Sequence, residues 1–151
     1  MPYTEGVAPP DSTPLARLLL DAFTWFDTGL TTGLSRGGGP ELTRSQSLAM
    51  SQVSVSGSRS ADIARNLGVT RQAVHQTVAE LRHLGLVDLV SDPSNASAKL
   101  VKLTPEGRRS VRRALRVFEE LEHTLGDRIG ERDMADLRRI LSKEWGAPGS
   151  T

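Results

Sequence analysis

Ser60-Ala61-Asp62-Ile63-Ala64-Arg65-Asn66-Leu67-Gly68-Val69-Thr70-Arg71-Gln72-Ala73-Val74-His75-Gln76-Thr77-Val78 is the stretch whose reading decides the fold. Ser60 can cap a short helix through Asn66, Gly68 breaks it, and Thr70 can cap a second helix from Arg71 to about Leu84. Ala64 is small where two such helices cross, because a side chain beyond a methyl would push them apart. Gly68, four residues on, supplies the positive φ of the turn, and Val74, six further on, packs the second helix inward together with Val78 and Leu81. The outward face then carries Gln72 and Gln76, with His75 beside them and Arg71 at the leading end. Glutamine matches adenine N6 and N7, arginine matches guanine O6 and N7 or a phosphate, and a helix N-terminus attracts phosphate by itself. An ordinary solvated helix face is the competing reading. The turn spacing, the hairpin that follows and the local charge all weigh against it.

Working outward, Leu86 to Val90 and Lys99 to Leu103 read as two short strands joined by a Pro/Asn/Ser loop, Ser91 to Ala98. Upstream, Thr43-Arg44-Ser45-Gln46 is a capping-box pattern opening a helix to about Val53. Thr13-Pro14 predicts a first helix, with Thr13 as N-cap and an apolar stripe of Leu15, Leu18, Leu19, Ala22, Phe23, Phe26 and Leu30, ended by the glycine-rich segment from Gly33 to Pro40. Thr104-Pro105 repeats that start for a long helix through Leu115, Phe118, Leu121 and Leu125 to Gly126. A last helix carries Met134, Leu137, Ile140, Leu141 and Trp145. The fold class expected is mainly α with a small β-hairpin wing: a winged helix-turn-helix over residues 41–104, flanked by helical segments 13–40 and 105–146 and by disordered tails at 1–12 and 147–151.

Net charge is +1 over 151 residues, but its distribution is uneven. Residues 1–58 sum to −2, residues 59–116 to +6 and residues 117–151 to −3. A basic centre between acidic flanks suits a surface that meets phosphates and releases their counterions. Cysteine is absent, which excludes disulfides, thiolate metal sites and cysteine redox sensing. No apolar run reaches the roughly 20 residues of a membrane span, and Met1 to Asp11 has no leader pattern, so the expectation is a soluble cytoplasmic protein with no membrane partner.

Taken together, Leu42-Thr43-x-x-Gln46, Ala61-Asp62-Ile63-Ala64-x-x-Leu67-Gly68-Val69-Thr70-Arg71-Gln72-Ala73-Val74, Leu81-x-x-Leu84-Gly85-Leu86-Val87, Asp92-Pro93 and Leu103-Thr104-Pro105-Glu106-Gly107-Arg108 resemble the MarR family of bacterial regulators over about residues 15–145. The resemblance implies a homodimer whose first and last helices intertwine, here through Leu15, Leu18, Leu19, Met134, Leu137 and Leu141. It also implies a duplex DNA operator of pseudo-palindromic sequence, read by the helix from Arg71 in successive major grooves. A monomeric helical core fits the apolar stripes nearly as well. DNA contacts are expected from Arg59, Ser60, Thr70, Arg71, Gln72, His75 and Gln76, with Asn95, Ser97 and Lys99 in the wing. One departure stands out: the family's wing carries an Asp-Arg pair, whereas this wing reads Ser94-Asn95-Ala96-Ser97-Ala98-Lys99. Without that arginine, minor-groove readout should weaken or pass to Asn95, Ser97 or Lys99, and the hairpin tip should be looser for want of the ion pair.

The functional expectation is a transcription regulator, a repressor released from its operator by a small-molecule effector of unknown identity. The alternative is a winged-helix protein-interaction module without DNA readout. Arg108, Arg109, Arg112, Arg113 and Arg116 read as a solvated face, as flanking phosphate contacts, or as a network with Glu119, Glu120 and Glu122. His75, His83 and His123 make no convincing metal site. Phe23, Trp25 and Phe26 read as core, and lie where the family often has its effector pocket. No nucleophile motif or phosphate-binding glycine loop is present, so neither an enzyme nor a cofactor is expected.

Overall fold

A computed structural model describes residues 12–149. The N-terminal tail expected at 1–12 and the end of the C-terminal one lie mostly outside these. The chain runs α1 (Leu15–Arg36), α2 (Arg44–Ser51), α3 (Ser60–Leu67), α4 (Arg71–His83), β1 (Val87–Asp92), β2 (Asn95–Leu103), α5 (Pro105–Ile129) and α6 (Glu131–Leu141). It is the mainly α architecture with a two-stranded hairpin that the sequence led us to expect.

The core sits where α2, α3 and α4 meet the base of the hairpin. Ile63, Leu81, Leu86, Val87 and Val101 are fully buried there, with Ala49, Met50, Ala64, Val74 and Val78 around them. Ala64, Val74, Val78 and Leu81 are thus the inward set that the helical spacing selects. Helices α3 and α4 are each closed at the C-terminal end by a glycine. Gly68 has φ +65°, with its N–H on the Arg65 carbonyl and that of Val69 on the Ala64 carbonyl. Gly85, at φ +71°, repeats the geometry after α4, with Leu86 N–H reaching the Leu81 carbonyl. These paired bonds satisfy the last helical carbonyls and need a left-handed residue.

Several boundaries differ from the sequence expectation. Pro14, not Thr13, is the N-cap of α1 and gives it no side-chain bond. Gly33 lies inside α1, which continues to Arg36. A Cβ at Gly33 would stand 2.5 Å from Val117 Cγ1, and one at Gly29 would stand 2.5 Å from Leu121 Cδ2. Both glycines let α5 approach α1, so here they serve packing instead of breaking the helix. Arg59, not Ser60, is the N-cap of α3, again without a side-chain bond. The strands also outrun the expected loop: β1 extends to Asp92 and β2 starts at Asn95, with a register shift between Ser91 and Asp92. Ser58 adds a short antiparallel bridge to Val101, which ties the approach to α3 onto the wing. Helix α5 passes Gly126 and ends at Ile129, and Gly126 lies buried beneath the Glu131 carboxylate.

The expected caps at Thr43, Thr70 and Thr104 are present. Thr43 Oγ1 accepts from Gln46 N–H while Gln46 Oε1 accepts from Thr43 N–H, the full reciprocal box. Thr70 Oγ1 accepts from Ala73 N–H, and Thr104 Oγ1 from Gly107 N–H. Thr104 also donates its hydroxyl to the Gly85 carbonyl at 2.6 Å and its N–H to the Leu86 carbonyl at 3.0 Å. The start of α5 is therefore pinned to the end of α4, and this bond pair fixes the wing between them.

Candidate nucleic-acid interface

On α4 the buried residues are Val74, Val78 and Leu81, which turns Arg71, Gln72, His75 and Gln76 outward, all exposed. Thr70, also exposed, spends its side-chain oxygen on the cap, leaving the free N–H groups at the helix start facing solvent with no acidic residue in the first turn. That end is the positive pole of the helix.

Between α4 and the wing runs a groove of about 440 Å³. It brings together four of the expected contacts, Arg59, Ser60, His75 and Lys99, over an apolar floor that includes Val78 and Leu89. Arg82 joins the same rim and was not singled out from sequence. It lies seven residues beyond His75, two helical turns along one face, so the spacing could have found it. Gln72 and Gln76 are not part of this groove. Asn95 and Ser97 stand at the wing tip, where Asn95 Oδ1 accepts from both the Ser97 N–H (3.2 Å) and the Ser97 hydroxyl (2.7 Å). Lys99 Nζ donates to Ser91 Oγ at 3.2 Å across the hairpin.

The wing does contain an ion pair, though not the expected kind. Arg59, at the start of α3, donates to Asp92 Oδ2 through Nε at 2.9 Å and through a terminal nitrogen at 2.5 Å. Asp92 is 6% exposed, whereas Arg59 remains 46% exposed. Ser94 adds its N–H (2.8 Å) and hydroxyl (2.7 Å) to Asp92 Oδ1. Hydrogen bonds from Ser94 and then from Arg59 hold the Asp92 carboxyl down at about 2. The tip expected to be loose for want of an Asp-Arg pair is therefore fastened to α3 by one.

The arginines of α5 divide. Arg109 and Arg113 both pair with Glu106, which lowers that carboxyl below its usual range, Arg109 contributing most. Arg108 caps the Leu103 carbonyl, and Arg112 and Arg116 are exposed. Of the acidic residues proposed as partners, Glu122 pairs instead with Arg138 of α6. His123, Asp127 and Glu131 come together at the α5–α6 corner with metal-binding donor types, all exposed and none on α4. No helix among the described residues is long and apolar enough to cross a membrane.

A sequence profile described as the MarR family matches residues 41–96, which contain α2, α3, α4, β1 and the turn into β2. This segment resembles the MarR family. Solved structures extend the likeness in fold to most of the chain. Apo MarR from E. coli is 22% identical with a TM-score of 0.72, over 89% of this chain and 98% of that one. A MarR family protein of Mycobacterium tuberculosis, solved in complex with salicylic acid, is 26% identical with a TM-score of 0.66, over 87% and 96%. A mutant of S. aureus MepR is 21% identical with a TM-score of 0.66, over 86% and 98%. No curated protein matches the chain at a significant level. The chain thus has the winged-helix fold of MarR, with its helix-turn-helix inside the matched segment.

Within that MarR fold, α1, α2 and α5 enclose an open cavity of about 550 Å³, its wall mostly apolar and including Phe23, Phe26, Met50, Leu115 and Phe118. Phe26 packs edge-on to Trp25 at 4.9 Å and tilted to Phe118 at 6.4 Å. The two phenylalanines of α1 read from sequence as core are thus half-buried or exposed wall residues. At the rim Arg44 pairs with Asp27 at 2.6 Å and lies over the Phe23 ring.

Proposed function

We propose that this protein is a sequence-specific DNA-binding transcription regulator that acts as a homodimer and lays α4 of each subunit into successive major grooves of a pseudo-palindromic operator. The observation that carries the reading is the outward face of α4: four exposed side chains with base-reading or phosphate-binding chemistry, on a helix whose opposite face is buried in the core. The basic groove beside it, rimmed by Arg59, Arg82, Lys99 and His75, supports passage of a phosphate backbone between α4 and the wing. In this arrangement Arg71, Gln72 and Gln76 meet base edges. Arg59, Ser60, Thr70, His75 and Lys99 position the backbone, and Asn95 and Ser97 stand nearest the flanking groove.

Dimer formation is supported by apolar residues left uncovered on the terminal helices and just beyond them. Leu15 is 63% exposed, Leu18, Leu137, Ile140 and Leu141 are exposed as well, and Trp145, expected on the last helix but lying past its end at Leu141, is 61% exposed. Leu19 and Met134 are half-buried beside them. Patches of this kind mark interaction surfaces. The apolar cavity supports a small-molecule effector with an aromatic or aliphatic body, and salicylic acid in the mycobacterial relative is consistent with that class. Occupancy of the cavity would favour a subunit arrangement in which the two α4 helices no longer match the operator spacing, which is release of a repressor.

A mobility shift against the DNA upstream of the protein's own gene tests the reading. A sequence-preferring complex at moderate salt is expected, weakened by a ligand that fills the cavity. Absence of any preference over random duplex at the same salt would sink it.

A further inference from the structure

Gln46 is buried at the N-terminal turn of α2, and both ends of its amide are engaged. Oε1 accepts from the Thr43 N–H at 3.0 Å, and Nε2 donates to Glu80 Oε2 on α4 at 2.9 Å. The other oxygen of that carboxylate accepts from Gln76 Nε2, one turn earlier on α4, at 3.3 Å. An ionised carboxylate only accepts, so Glu80 must meet the nitrogen end of each amide. The capping box fixes which way Gln46 points, Gln46 holds Glu80, and Glu80 in turn holds the nitrogen end of Gln76. The carbonyl end of Gln76 is then the end that Glu80 does not hold.

We propose that Glu80, anchored from the core by Gln46, is a positioning residue that orients the Gln76 amide and so sets which base is read beneath it. The inference rests on the DNA-reading role proposed for α4. A glutamine free to turn offers a donor or an acceptor to the groove. Held by its nitrogen, Gln76 offers Oε1 first, which favours a base with an exocyclic amino donor, adenine N6 or cytosine N4, over the acceptors guanine O6 and thymine O4. Gln46 and Glu80 touch no DNA in this scheme. Their effect is on specificity and leaves phosphate affinity alone.

Two variants separate positioning from folding. Glu80→Ala removes an exposed side chain and leaves α4 intact. Gln46→Glu keeps the capping box, since glutamate accepts equally well from the Thr43 N–H. It also sets a second carboxylate against Glu80 where a donor stood. Selection from random duplexes, with Gln76→Ala marking the base pair that Gln76 reads, is paired with the side-chain amide resonances of Gln76 in the free protein. The wild type is expected to prefer adenine or cytosine at that pair by about tenfold, the discrimination of one well-made contact. Both variants should lose the preference while the salt dependence of binding stays unchanged, and the Gln76 amide resonances should move in both. A preference for guanine or thymine, a preference that survives in Glu80→Ala, or resonances unmoved in both variants would each overturn the proposal. If the wild type selects no sequence at all, the DNA-reading role of α4 fails separately, and the proposed control of readout fails with it, while the amide resonances still show whether Glu80 holds Gln76.

Discussion

Asp92 receives four hydrogen bonds at the tip of the wing, two from Arg59 and two from Ser94. Its folded pKa, about 2, lies below the ordinary 3.8. The stabilisation from the charged form is therefore complete above about pH 4 and lost as the pH falls through about 2. Asp92→Asn should lower the urea midpoint at neutral pH, and the gap from wild type should narrow as the pH drops toward 2. A gap that stays constant with pH would show that the carboxylate charge contributes nothing. Gly107 is a second residue under tight constraint. A Cβ there would stand 2.0 Å from the Leu86 carbonyl oxygen, which is backbone and cannot swing aside. Gly107→Ala should cost about 1–3 kcal/mol or more of stability, measured by denaturant unfolding. A neutral result would mean that the α5 start does not press on the α4–β1 corner.

Among the elements, α4 and the wing divide the proposed DNA contact, and their variants should behave differently. Gln72→Ala should cost about 1–3 kcal/mol on the preferred sequence and relax one position. Lys99→Ala should weaken binding to all sequences alike and flatten the salt dependence by about one phosphate. An unchanged salt slope for Lys99→Ala would count against any contact there. The helix-turn-helix was legible in sequence because its constraints are local: Ala64, Gly68, Val74 and the Thr70 cap each act within a few residues. Wing length was not legible, because Asp92 and Asn95 owe their strand positions to cross-strand pairing, and Asp92 is held besides by Arg59, 33 residues away. Gly33 misled for the same reason, since its partner Val117 is far along the chain and a glycine read alone looks like a breaker. Glu80 and Gln46 carry no local signal either, as their bond spans 34 residues.

At the level of the whole molecule, the terminal helices leave Leu15, Leu18, Ile140 and Leu141 exposed. Leu18→Glu combined with Leu141→Glu should convert the proposed dimer to monomer, read by analytical ultracentrifugation, and should weaken operator binding far more than it alters the helical signal. A variant that remains dimeric would place the interface elsewhere. The central claim is that α4, presented twice by a dimer, reads a pseudo-palindromic sequence. Selection of binding sites from random duplexes tests it most directly. Two inverted half-sites centred about one helical turn apart, lost on Gln72→Ala and Gln76→Ala together, are the expected outcome. Binding that shows no sequence preference, or a preference that survives the double substitution, would contradict it.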